Sequence, residues 1–133
     1  MKTTVCKDSW QGAGLTEAES TISDPAMAVA SIARLDGDSR TMVSLSRGDA
    51  MLCIGGGNDA RYVAYFALNI DEVLFTLVDP VAPEKGPEME VVAGGQAGTC
   101  PPRMCVALET VTKAATHFVE TGERSPALHW VEG

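Results

Sequence analysis

Aromatic residues are scarce. Three phenylalanines, two tyrosines and two tryptophans make up 5% of the 133-residue chain. A surface that stacks bases needs aromatics beside a basic groove, so nucleic-acid binding is not expected. Cations are few as well: ten Lys and Arg stand against 18 Asp and Glu, a formal net charge of -8. Such a chain repels phosphate backbones and anionic membranes and attracts basic partners. Acidity alone is also explained by solubility. No run of about 18 apolar residues occurs, which excludes a membrane-spanning helix of the ordinary kind. The opening residues Met1 to Asp8 contain no apolar leader segment, so a cytoplasmic location is expected.

Histidine and cysteine are sparse too. The four cysteines, Cys6, Cys53, Cys100 and Cys105, form no CxxC pair, and His117 and His129 do not complete a ligand set. No metal or cofactor is expected, and the thiols are expected to be reduced, with Cys53 a small buried hydrophobe. What remains is an ordinary globular composition, 45% hydrophobic and 21% charged. Its length fits one domain over residues 1–133, able to bury about two thirds of its unfolded surface.

The first 22 residues read as an edge strand followed by a loop, a segment that could be loosely ordered. Asp24 and Pro25 signal a helix start. Ala28, Val29, Ile32 and Leu35 then make a stripe over a helix 25–35. Strands follow at 41–46, 50–54, 61–68, 73–78 and 88–92, joined by links too short for parallel crossovers. The loop from Asp79 to Pro87 holds three prolines. A second helix is expected over 108–121, with Leu108, Val111, Ala115, Phe118 and Val119 buried and Gly122 as its C-terminal cap. Trp130 is expected to pack back onto the fold. The fold class is therefore α+β: a twisted antiparallel meander of five to six strands with two helices packed on it.

Motifs for chemistry are mostly missing. Gly55-Gly56-Gly57 lacks the following helix and Lys-Ser or Lys-Thr pair of a phosphate loop, so it reads as a hairpin turn. Gly94-Gly95-Gln96 matches the tripeptide of release factors, but without a basic RNA-binding surface it reads as a loop with unusual backbone angles. Glu88 and Glu90 lie two apart on one strand face, where either a solvated surface or a partner-facing acidic strip explains them. His117 has no nucleophile or orienting group in a local motif. The search favours a binding module over an enzyme.

A series of residues then carries a resemblance. It runs from Gly55-Gly56-Gly57-Asn58-Asp59-Ala60-Arg61-Tyr62-Val63 through Phe75-Thr76-Leu77-Val78-Asp79 to Gly94-Gly95-Gln96. Pro102, Val106, Ala114-Ala115, Phe118 and Thr121-Gly122-Glu123-Arg124 follow, and Trp130 closes it. The order resembles the first-numbered immunity-protein family of bacterial polymorphic toxin systems, over about residues 40–132. The resemblance implies a non-enzymatic cytosolic protein that binds a cognate secreted toxin one to one. Such toxins are often of the deaminase fold, zinc-containing, and act on nucleic acid. Candidate toxin-binding residues are Asp59, Asp71, Glu72, Asp79, Glu84, Glu88 and Glu90, which fall in the turns and outer strands of the meander. Two rivals stay open: a small enzyme using Asp, Glu and His117, and a regulatory subunit that assembles through a sheet edge.

Overall fold

A computed structural model describes residues 2–69, 73–83 and 86–132. The chain opens on a hairpin. Strands β1 (Thr3–Gln11) and β2 (Gly14–Ile22) pair antiparallel over their full lengths, Thr3 opposite Ile22 and Gln11 opposite Gly14. The expectation of a loop after the first strand is thereby corrected. Eight of the nine β2 residues are exposed, so no buried apolar face marked the strand in the sequence.

Helix α1 (Pro25–Ala33) starts where expected, with the Asp24 carboxylate accepting the Ala26 N–H at 2.9 Å. It stops two residues before the expected end, and Ala28, Ile32 and Leu35 are buried as foreseen. The meander follows as β3 (Met42–Arg47), β4 (Ala50–Gly56), β5 (Tyr62–Leu68) and β6 (Val73–Val78). Two further strands, β7 (Met89–Ala93) and β8 (Gln96–Cys100), precede helix α2 (Leu108–Thr121), and β9 (His129–Glu132) comes last. The large sheet has seven strands in the order β2-β1-β3-β4-β5-β6-β9, each pairing antiparallel.

The class is α+β, as the sequence indicates, with more strands than expected. β7 does not extend the meander. The place beside β6 is taken by β9, which sets Trp130 opposite Leu77. β7 instead pairs with β8 in a separate ribbon. Its connection is Gly94-Gly95, at φ +61° and +78°. Positive φ at both central residues is the two-residue turn that matches strand twist. Thus the unusual angles foreseen there are present, but Gln96, Ala97 and Gly98 continue as strand.

Alternation assigns the two faces of the large sheet. Val5, Leu45, Leu52, Phe66 and Phe75 lie opposite one another in successive strands and point toward the helices. There α2 buries Val111, Ala114, Ala115, Phe118 and Val119, and the Phe118 ring meets Phe66 edge-on at 6.1 Å. Leu108, expected in that stripe, is 37% exposed because it sits in the first turn, at the rim of the contact. The neighbouring row, Cys6, Ser44, Cys53, Tyr65 and Thr76, faces the other way. On that side the β7–β8 ribbon lies against β4: a Cβ on Gly55 would come within 2.5 Å of the Ala93 Cβ.

Phe118→Ala should lower unfolding free energy by about 3–5 kcal/mol, because it empties the contact between helix and sheet. Leu108→Ala should cost under about 1 kcal/mol, as an exposed position does. Urea unfolding of the two variants checks the difference.

Candidate functional site

The candidate residues distribute unevenly over this frame. Asp59 lies in a 3-10 turn, Asn58–Ala60, that joins β4 to β5. Gly57 precedes it at φ +101°, where any Cβ would collide with the Leu35 carbonyl. The turn is fixed to β7 through its own side chain. Asn58 Nδ2 donates to the Glu90 carbonyl at 2.8 Å, and Asn58 Oδ1 accepts the Val92 N–H at 3.3 Å. These bonds tie the turn to the β7 backbone at Glu90 and Val92. Glu90 is exposed on β7, and Glu88, also exposed, accepts the Thr99 hydroxyl across the ribbon. The two glutamates therefore lie two residues apart at the start of β7, both exposed.

Asp79 is used locally. Its carboxylate accepts the Val81 N–H at 3.0 Å, and its own N–H donates to the Arg103 carbonyl at 2.7 Å. It shapes the loop that leaves β6. Asp71, Glu72 and Glu84 lie outside the described residues.

The strongest polar cluster is one the sequence did not single out. Asp8 Oδ1 accepts the N–H groups of Thr41 (2.8 Å) and Met42 (2.9 Å). Asp8 Oδ2 accepts the Trp10 indole N–H at 2.7 Å and the Thr41 hydroxyl. Thr41 Oγ1 in turn accepts the Gly95 N–H at 2.9 Å. One carboxylate so joins β1, the start of β3 and the tip of the β7–β8 ribbon. Burial opposes its charge, but the bonds from Thr41, Met42 and Trp10 outweigh burial and hold its pKa below the ordinary 3.8. A tight approach adds to the clamp: a Cβ on Gly95 would run into the Trp10 ring. The only sequence signal was an aspartate two residues before a tryptophan, which no periodicity distinguishes.

Two cavities bear on the remaining readings. An open groove of 1140 Å³ sits at the C-terminal end of α2, lined among others by Arg47, Phe66, Arg124, His129 and Trp130. Its cations serve packing. Arg47 donates to the Val119 carbonyl at 3.0 Å, and the Arg124 guanidinium lies 3.6 Å from the Phe75 ring centre. Trp130 is packed against the core, edge-on to Phe66 at 6.5 Å, with its indole N–H on the Ser125 carbonyl at 3.1 Å. A smaller crevice of 150 Å³ lies beside β2, between Trp10, Leu15 and Met42.

His117 lines neither cavity and is half-buried on α2. The cavity joining His117 to a carboxylate, which the enzyme reading requires, is thus not formed by these two. Burial pushes the Cys105 thiol up to about 11, and burial followed by Glu17 raises Cys6. Both stay protonated thiols at neutral pH, poor nucleophiles. Among the described residues no group of three or more His, Cys, Asp or Glu is placed to hold a metal ion. No helix there is long and apolar enough to cross a membrane.

Fold and surface together define an α+β protein whose large sheet carries two helices on one side and the β7–β8 ribbon on the other. The family model described as Immunity protein Imm1 matches residues 16–132, and the chain belongs to that family. Membership supports an immunity role and implies a cognate toxin as partner. The match begins well before residue 40, where the resemblance read from the sequence starts. No curated protein and no solved structure matches the chain.

Asp8→Asn should destabilise the fold by about 1–3 kcal/mol at neutral pH, since the Thr41 and Trp10 donors lose a charged acceptor. The folded pKa of Asp8 lies below its unfolded one. Its stabilising contribution is therefore full above the unfolded value and is lost as pH falls through the folded one. Denaturant unfolding of both proteins from pH 7 to pH 3 should show the difference shrinking with acid. A gap independent of pH would contradict this role for the charge.

Proposed function

We propose that this chain neutralises a secreted bacterial toxin by binding it one to one in the cytoplasm and covering its active site. The observation that carries this reading is the family match over residues 16–132. The toxin class we favour is a zinc-containing deaminase that acts on cytosines in DNA. Such an enzyme needs a cationic groove for the phosphate backbone and a pocket for an extruded base. A net charge of -8 is complementary to that groove. An acidic protein seated there excludes substrate sterically, and the zinc and general acid remain the toxin's own.

Protection from a catalytic toxin demands slow dissociation. A Kd of about 1 nM corresponds to roughly -12 kcal/mol. Acidic residues at the rim accelerate encounter, while a few apolar or aromatic anchors slow release. The proposed acidic contacts are Asp59, Asp71, Glu72, Asp79, Glu84, Glu88 and Glu90. Glu88 and Glu90 are the most direct to test, being exposed side by side on one ribbon.

Cytosine deamination by the toxin encoded beside this gene should fall to background at one equivalent of the protein. Toxin activity that persists at saturating protein would refute the reading. A blocked nuclease or ADP-ribosylating activity would replace the deaminase class while keeping the immunity role. Glu88→Lys combined with Glu90→Lys should weaken binding at least tenfold, and unchanged affinity would remove the ribbon from the interface.

A further inference from the structure

Strand β2 is the most exposed regular element of the sheet. It stands at the end of the strand order and, among the described residues, pairs with β1 alone. Its register is continuous from Gly14 to Ile22, with no bulge. Nor does it carry Lys, Arg or Pro. Of the devices by which natural sheets blunt a free edge, it has only the negative charges of Glu17 and Glu19, which oppose an acidic strand and not a basic one. A nine-residue edge of this kind can accept a basic strand.

The hairpin geometry says which groups are on offer. The two-residue connection Gly12-Ala13 closes on the pair Gln11 and Gly14, a hydrogen-bonded pair in this type of hairpin. Pairs then alternate, so the N–H and C=O groups of Leu15, Glu17, Glu19 and Thr21 point away from β1. Their side chains share the face that carries Asp8 and Cys6, opposite the helices. Glu17 and Glu19 are both exposed, and Leu15 is 47% exposed at the mouth of the 150 Å³ crevice with Trp10 and Met42.

Charge selects the occupant. A second copy pairing antiparallel on this edge would place Glu17 and Glu19 against glutamates of its twin, and like charges directly opposite are destabilising. A basic strand meets no such penalty. The crevice itself suits an apolar side chain, because Asp8 is already satisfied by its hydrogen bonds and Lys7 lines the same space.

We propose that an extended basic segment of the cognate toxin docks on the free edge of β2 and becomes the eighth strand of the sheet. Its lysine or arginine side chains lie against Glu17 and Glu19, and one apolar side chain fills the crevice beside Trp10, Leu15 and Met42. This inference rests on the immunity reading above. It adds a second contact, on the same side of the sheet as the β7–β8 ribbon.

The test uses the full chain and a catalytically inactive form of the toxin encoded beside its gene. Glu19→Ala removes one charge. Glu19→Pro removes the same charge and the outward N–H, a position where proline is tolerated on an edge strand. Glu19→Pro should bind at least tenfold more weakly than Glu19→Ala, with both melting near the wild-type temperature. If the proline variant does not fold, Glu17→Lys with Glu19→Lys takes its place and should weaken binding at least tenfold. Wild-type affinity in whichever of these variants folds, alongside a wild-type protein that binds and inhibits, overturns the β2 site and leaves the immunity reading intact. A wild-type protein that does not bind the toxin overturns both. A wild-type dimer in sedimentation that Glu19→Pro converts to monomer would assign the edge to a second copy and overturn the proposal.

Discussion

The Asp8 carboxylate is the point on which the arrangement of the outer strands depends. The ladder between β1 and β3 runs only from Thr4 to Lys7 on the β1 side. Beyond it the Thr41 and Met42 N–H groups have a side-chain acceptor in place of a ladder carbonyl. Asp8 supplies the acceptors by side chain, taking both the Thr41 and Met42 N–H groups. Thr41 passes the connection on to Gly95 at the ribbon tip, and Trp10 is held over that glycine. Without this anchor the distal half of the β1–β2 hairpin would have only the Trp10 N–H on the Ser39 carbonyl to fix it to the loop before β3. Both surfaces proposed to meet the toxin, the β2 edge and the ribbon, are oriented by it.

This organisation separates stability from recognition. On the helix side of the sheet Phe66, Phe118 and Trp130 pack edge-on, and Phe66 and Trp130 also line the open groove at the end of α2. The arginines that could have met a partner there are occupied, Arg47 on the end of α2 and Arg124 on Phe75. The other side carries the exposed glutamates of β2 and β7. Substitutions at these exposed glutamates, away from the Asp8 clamp, can change partner choice with little effect on the core.

Local signals account for what the sequence disclosed. Helix α2 runs over the expected residues because its apolar spacing of three and four is strong and Gly122 ends it, its N–H on the Phe118 carbonyl at 2.7 Å. The meander strands β3 to β6 were legible because β-branched and aromatic residues alternate between short turns. β2 was hidden because its partner covers an edge and not a face, so Leu15 to Thr21 show no buried alternation. β7 and β8 were read as an outer strand and a loop because a two-residue glycine turn resembles any flexible link until its pairing is seen. The site was the least legible part. Glu88 and Glu90 could be named from an exposed strand pattern, whereas the bonds of the Asp8 clamp join partners separated by 33, 34 and 54 positions in sequence. Contacts of that range leave no periodic trace.

Amide hydrogen exchange on the free protein and on its complex with the toxin tests most directly whether recognition lies on the side of the sheet away from the helices. Added protection is expected at Leu15, Glu17, Glu19 and Thr21 and along the ribbon from Met89 to Ala93, with α1 and α2 unchanged. Protection confined to the helices, or to the groove around Arg47 and Arg124, would contradict that placement.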